Sequence, residues 1–133
     1  MPTNTFTHKT KITVRYAETD RMGIVYYANY LIWFEVARTE YLKALGVSYR
    51  DLEDKENLGL MVVESVCQYK HPVTYDDEVC IETHATDVKH SSLSFEYKIT
   101  RKKTVVALGK TVHVFTINGK PVKIPANLKK LMK

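Results

Sequence analysis

Apolar and polar positions along the chain fall into a few periodic blocks. Residues 11–17 alternate, with Ile12, Val14 and Tyr16 on one face, which predicts a first β-strand. After an irregular stretch, Glu18-Thr-Asp-Arg-Met-Gly23, the period changes. Tyr30, Phe34, Ala37, Tyr41 and Leu45 recur at steps of three and four and share one stripe of a helix. Asn29 is placed to cap that helix, and Gly46 stands where a left-handed residue ends one. Ser48-Tyr-Arg-Asp51 has the spacing of a capping box, with Asp in place of Glu, and predicts a short second helix.

Beyond it the pattern is that of strands. Residues 60–70 are rich in valine and suited to burial on both faces, while Val79, Ile81, Thr83 and Ala85 alternate, as do Leu93, Phe95, Tyr97 and Ile99. Val105 to Ile117 is long and mostly apolar on both faces, as a central strand would be. Asn118-Gly119 is a strong type I′ hairpin signal, returning the chain into a strand over 120–124 that Pro125 ends; the Lys102-Lys103 turn carries no such mark. One strand, one main helix and then consecutive antiparallel strands make an α+β domain, a helix lying on a curved sheet. No repeat or linker divides it, so a single domain is expected over 1–133. Strands apolar on both sides leave surface that a second subunit would cover.

Charge adds a second layer. The 133 residues carry 20 Lys+Arg and 15 Asp+Glu, a formal charge of +5. All 15 acidic residues fall at or before Glu96; from Tyr97 onward there are 10 basic residues and no acidic one. Such asymmetry suits an anionic partner: nucleic acid, an acidic membrane surface or a phosphate-bearing small molecule. Nucleic acid is disfavoured, because Tyr97 and Phe115 fall on strand positions expected to be buried and no recognition motif appears. The longest uncharged apolar stretch, Met22–Phe34, has 13 residues, short of the roughly 18 that a membrane span needs. Residues 1–5 show no basic start of a secretory signal, and Cys67 and Cys80 read as buried free thiols, so a cytoplasmic location is the default expectation.

The sequence has no glycine-rich phosphate loop, no G-x-S-x-G and no paired CxxC. Its five histidines include no i,i+4 pair, which argues against a metal site, and His113 within an apolar strand reads as a core residue. The segment that stands out is Tyr16 to Tyr30. It places Asp20 on a loop before the main helix, whose N-terminus offers free N–H groups and a positive dipole end to a developing oxyanion. Gly23 would let that loop turn tightly. Two readings of Asp20 stand side by side: a general base or nucleophile in acyl transfer, or a carboxylate that caps the helix or binds its own turn.

Val14 to Leu42 resembles the 4-hydroxybenzoyl-CoA thioesterase family of hotdog-fold proteins, in particular its YbgC-like acyl-CoA thioesterase branch. The matching residues are Arg15-Tyr16, Thr19-Asp20, Gly23-Ile-Val-Tyr-Tyr27, Asn29-Tyr-Leu31 and Phe34-Glu-x-Ala-Arg38. Tyr69-x-x-Pro72, Tyr75-Asp-Asp-Glu78 and Ser91-Ser-Leu-Ser-Phe95 continue the likeness in the same order, over most of residues 10 to 125.

The resemblance implies a long central helix wrapped by a curved antiparallel sheet of about five strands. It also implies hydrolysis of an acyl-CoA, or of an acyl carrier protein thioester, with no metal or cofactor beyond the coenzyme A of the substrate. Asp20 would be the catalytic carboxylate, the Tyr27 backbone N–H would polarise the thioester carbonyl, and Gly23 would shape their loop. Many YbgC-like members carry histidine where this chain has Tyr27; a backbone donor survives that change, but an imidazole role does not. Lys89, with His90 and Ser91, falls in the turn that the likeness places near the nucleotide of coenzyme A, a solvated turn lysine being the alternative. Glu64 would line the acyl site across a dimer interface, or simply face an edge. Homodimers with sites at their interface are implied, and often tetramers. Two other readings are a hotdog module that binds acyl carrier protein without catalysis, and a hydratase. The hydratase would need a catalytic histidine with a carboxylate partner, and no histidine is expected near Asp20.

Overall fold

The computed structural model describes residues 6–132. Its elements are β1 (Thr7–Thr13), a 3-10 turn (Tyr16–Glu18), α1 (Asn29–Ala44), α2 (Tyr49–Glu56), β2 (Gly59–Tyr69), β3 (Glu78–Thr86), β4 (Ser92–Arg101), β5 (Thr104–Ile117), β6 (Lys120–Pro121) and α3 (Ala126–Met132). The sheet is antiparallel throughout, in the order β1-β3-β4-β5-β2, and the two-residue β6 adds to β5. α1 touches both edge strands, β1 and β2, as well as β3. In a flat five-stranded sheet those edges would lie roughly 19 Å apart, at about 4.8 Å per gap. That is wider than a helix of roughly 10–12 Å. The sheet therefore curls around α1, giving the hotdog form of an α+β domain.

Packing explains where the helix sits. Tyr30, Trp33, Phe34, Ala37, Tyr41 and Leu42 are its buried residues. Phe34 stacks on Tyr97 with ring centroids 4.2 Å apart and planes 11° from parallel. The same ring lies over Gly109, where an added Cβ would run into it. Glycine normally weakens a strand centre; here it allows close approach of helix and sheet. At the far end of α1, Gly46 adopts φ +84°. Its N–H donates to Lys43 O and the Val47 N–H to Leu42 O, both at 2.9 Å. Those are the two bonds of a Schellman cap. Ser48 Oγ accepts the Asp51 N–H at 3.2 Å and opens α2, as its spacing predicts.

Several expectations are corrected. β1 spans Thr7–Thr13 and not 11–17; Val14 stays buried, but Tyr16 is exposed in the 3-10 turn. The chain leaves the sheet because the Glu18 carboxylate captures the Arg15 N–H at 2.8 Å, a bond that no alternation pattern encodes. Asn29 does not cap α1: Ala28 holds the cap position, and the Asn29 amide donates to Glu18 O at 2.7 Å. β2 is not buried on both faces; it is an edge strand that exposes Met61, Val62, Val63 and Val66. The strand expected over 120–124 is ordered as sheet only at Lys120–Pro121, and α3, which strand-like patterning missed, follows Pro125 with Leu128 and Met132 buried. Cys67 and Cys80 are free but half-buried. The reading made on residues 1–5 lies outside the described residues.

Two hairpins share one turn geometry. Asn118-Gly119 joins the paired residues Ile117 and Lys120 with φ of 52° and 77°. Lys102-Lys103 joins Arg101 and Thr104 with φ of 48° and 72°. Both are the left-handed pair of a type I′ turn. Of the six non-glycine residues with positive φ among the described residues, four are Asn or Asp, which tolerate it; the other two are these lysines. The left-handed conformation costs an ordinary L-residue roughly 1–2 kcal/mol.

Candidate active site

Asp20 lies at the neck of a small hairpin. Thr19 bridges Val25, the Asp20 N–H donates to Ile24 O at 2.9 Å, and the Gly23 N–H donates back to Asp20 O at 2.9 Å. Gly23 closes this turn at φ +82°, so it is required for its backbone; a Cβ there would meet nothing. The Asp20 carboxylate accepts the Met22 N–H through Oδ1 at 2.9 Å. Its own turn therefore holds one oxygen, while Oδ2 has no partner among the described residues. The reading in which Asp20 binds its own turn is therefore met by one carboxylate oxygen, and the other is left without a partner among the described residues.

Glu18 fastens this hairpin to α1. Its Oε2 accepts the Trp33 indole N–H at 2.8 Å, and its main-chain oxygen accepts the Tyr26 N–H at 2.9 Å in addition to the Asn29 amide. Burial by itself pushes this carboxyl upward. The Arg15 N–H, the Trp33 indole and the Arg15 guanidinium outweigh burial and hold it below the usual carboxylate range. A charged, buried carboxylate therefore ties the Asp20 loop to the start of the helix. Between these anchors, the Tyr27 N–H donates to no acceptor among the described residues.

The second wall is the segment after β2. Val25 N–H donates to Val73 O at 2.8 Å, and Ile24 bridges Thr74. Arg101 donates from one terminal nitrogen to Pro72 O at 2.7 Å and to the Asp77 carboxylate at 3.2 Å. Asp77 is held below the usual range first by the Thr74 N–H, then, against burial, by the Thr74 hydroxyl and Arg101. Between the walls lies a cavity of about 450 Å³ lined by Asp20, Ile24, Val25, Tyr27, Tyr30, Tyr69, Lys70, His71 and Pro72. Tyr69 packs edge-on against Tyr30 and Tyr27, at centroid separations of 4.9 and 6.4 Å, and its hydroxyl donates to Tyr27 O at 3.1 Å. Burial, then the neighbouring Cys67, pushes the Tyr30 and Tyr69 phenols up to about 12, so both are neutral donors near neutral pH. Tyr26 is raised first by its contact with the Tyr27 hydroxyl and last by the charge of Asp20.

The structure therefore brings Asp20, Gly23 and Tyr27 together. It does not bring the other candidates to them within one chain. Lys89, His90 and Ser91 lie beyond the Thr86 end of β3, whereas Asp20 lies near the Glu78 end; a nine-residue strand separates them. Lys89 and His90 are exposed, and the backbone oxygens of His90 and Ser91 accept the Ile124 and Phe115 N–H groups. Glu64 is exposed on the β2 edge beside a bulge at Val63 and does not line the cavity. Sequence reading missed Tyr30, Lys70 and His71, and gave Tyr69 no role although it opens the Tyr69-x-x-Pro72 match. His71 corrects one argument outright: a histidine does share the Asp20 cavity, reaching it from the end of β2.

A family model for the thioesterase-like superfamily matches residues 14–131. The chain belongs to that superfamily. Within it, acyl-CoA thioesterase YbgC of Haemophilus influenzae is 34% identical over 121 residues, covering 89% of this chain and 88% of that protein. The putative acyl-CoA thioesterase YneP of Bacillus subtilis is 45% identical over 91 residues, 68% of this chain and 65% of that protein. Among solved thioesterase structures, the 4-hydroxybenzoyl-CoA thioesterase of Pseudomonas sp. strain CBS-3 superposes with a TM-score of 0.88 over 94% of this chain and 98% of that one. At 21% identity that likeness is one of fold. The family match covers both walls of the cavity and every residue that lines it.

Proposed function

We propose that this chain hydrolyses acyl-CoA thioesters, with Asp20 as the reacting carboxylate and the Tyr27 N–H as the donor to the carbonyl oxygen. The observation that carries the reading is an oriented carboxylate oxygen and an unused helix-start N–H on one aromatic-walled cavity. A thioester is already an activated acyl donor, so the step asks for no metal or cofactor. In the general-base form, Asp20 takes a proton from water as the water oxygen adds to the acyl carbon. The C–S bond then breaks, and the thiolate leaves and recovers the proton. In the nucleophilic form, Oδ2 itself adds, the thiolate leaves, and water cleaves the resulting anhydride. In both, negative charge grows on the carbonyl oxygen, where one donor is typically worth about 2.7–4 kcal/mol. Gly23 keeps the Asp20 turn closed.

The working unit we infer is a homodimer. Among the described residues β2 pairs only with β5, so one side of its eleven-residue backbone has no strand partner there, beside exposed Met61, Val62, Val63 and Val66. Long apolar edges of this kind are normally covered. Antiparallel pairing of β2 with its copy about a two-fold axis joins the two sheets. It also turns the opposite end of the partner toward Asp20, so that Lys89, His90 and Ser91 of the partner subunit approach the cavity and the two Glu64 side chains meet near the seam. The open edge supports a dimer; a tetramer would need a further face. Free cysteines accord with the cytoplasm.

The test is thiol release across a panel of short, long-chain and aromatic acyl-CoA and acyl carrier protein thioesters. At least one turns over, and Asp20→Asn lowers its kcat. A wild type inert on the whole panel would leave a binding module as the surviving reading.

A further inference from the structure

We propose that Glu18 is a positioning residue: through Asn29 and Trp33 it fixes the Asp20 carboxylate against the Tyr27 N–H, a role that rests on the thioester-hydrolase reading. Glu18 does not line the cavity, so it acts through the groups it holds. The Asp20 hairpin is closed by its own bonds, Asp20 N–H to Ile24 O and Gly23 N–H to Asp20 O. Those bonds shape the hairpin but leave its placement against α1 open. Among the described residues, the hydrogen bonds that join residues 18–20 to α1 all fall on Glu18. Its main-chain oxygen accepts the Asn29 amide at 2.7 Å, and its carboxylate accepts the Trp33 indole N–H at 2.8 Å. Backbone and side chain of one residue thus grip α1 at positions about one turn apart.

The same main-chain oxygen accepts the Tyr26 N–H at 2.9 Å, and the next N–H along the chain is that of Tyr27. Each reacting group therefore lies within two residues of a tied one. The other carboxylate oxygen accepts the Arg15 N–H at 2.8 Å, so both oxygens are used and the side chain is fixed. Glu18 is 5% exposed. Burying a carboxylate is unfavourable unless it is hydrogen-bonded, and an apolar side chain would fill the space without tying anything. A misplacement of about 1 Å at a reacting group can cost roughly 100-fold in rate. The tether therefore bears on the chemical step and leaves the groups that bind substrate in place.

Trp33→Phe keeps aromatic packing on Tyr30 and the Glu18 charge, and removes only the indole donor. Glu18→Gln turns an amide N–H against one of the two donors. Both variants should lower kcat on the best acyl-CoA substrate at least tenfold, with KM within twofold of wild type. E18Q/W33F should lose no more than E18Q alone, because both changes cut one tether. Leu128→Ala, in the core at α3 and outside the cavity lining, is the stability control: at a matching loss of melting temperature it keeps the wild-type kcat. Trp33 is the chain's single tryptophan, so its indole N–H gives one signal in a nitrogen–proton NMR spectrum. In E18Q that signal exchanges faster with solvent, and the Met22 and Tyr27 backbone signals shift in both variants. Folded variants with kcat within twofold of wild type would overturn the proposal, as would an equal kcat loss in L128A. If E18Q does not fold, W33F decides by the same thresholds. A wild type that hydrolyses no thioester defeats the hydrolase reading; the Met22 and Tyr27 signals then decide whether Glu18 places the loop, and unmoved signals overturn it.

Discussion

The sheet-facing side of α1 and the β2 edge are built from the same kinds of residue and end in opposite states. On the first, Phe34 is clamped between Gly109 and Tyr97, and Tyr41 meets Phe95 edge-on at 5.5 Å. On the second, Met61, Val62, Val63 and Val66 face outward, as do Leu31, Ile32 and Val36 on the outer side of α1. Hydrophobicity therefore marks two kinds of surface here, one satisfied by a single chain and one left over. The cavity sits at their border: Tyr30 comes from the closed side, and Tyr69 from the end of the open strand. A site on such a border is placed by packing on one side and lies beside an uncovered apolar edge on the other.

The comparison can be broken from the closed side first. Gly109→Ala puts a methyl into the Phe34 ring, which Tyr97 prevents from moving away, and should destabilise the fold by about 3 kcal/mol in urea unfolding. A stable G109A would show that the helix–sheet contact is loose. Acid should weaken the same core. His113 is fully buried, and burial, with the Arg38 charge second, holds its imidazole down to about 4. The unfolded chain takes up that proton near 6.5, so between those values the unfolded state binds more protons and stability falls as pH drops. At 1.36 kcal/mol per unit the interval is worth about 3 kcal/mol, and His113→Gln should flatten it in urea midpoints measured from pH 7 to pH 4. Glu18 and Asp77, both held low, lose their contribution only at lower pH still.

The open side should respond differently. Val63→Lys leaves the melting of the single chain nearly unchanged. It should weaken self-association at least tenfold, about 1.4 kcal/mol, in sedimentation equilibrium. An unaltered dimer would mean that β2 is not the seam. The smallest effect is expected at the border. Tyr69→Phe removes the donor to Tyr27 O, worth about 1 kcal/mol, and should lower kcat a few-fold with the melting temperature within about 2 °C.

Legibility in the sequence followed the same divide. Period located α1, β3, β4 and β5 because those elements bury a face against their own chain, and local cap and turn chemistry located α2 and the Asn118-Gly119 hairpin. Patterning failed at β1, where one buried carboxylate, Glu18, pulls the chain out of alternation. It failed again at β2, whose valines read as doubly buried but stand exposed, because an apolar run does not tell an edge strand from a central one. Asp20 and Gly23 could be singled out because a loop before a helix start is local; the family likeness added Tyr27 and supplied the roles of all three. Tyr30, Lys70 and His71 were hidden because only the curl of the sheet brings the end of β2 against the Asp20 hairpin.

The central claim is that the free oxygen of Asp20 does the chemistry while the fold merely presents it. Its most direct test is kcat and substrate affinity of Asp20→Asn on the best thioester substrate. The amide oxygen of the new residue can still accept the Met22 N–H, so the turn is kept. The expected kcat is lower by 100-fold or more, about 2.7 kcal/mol of barrier, with affinity and melting temperature close to wild type. A variant that turns over within tenfold of wild type would contradict it.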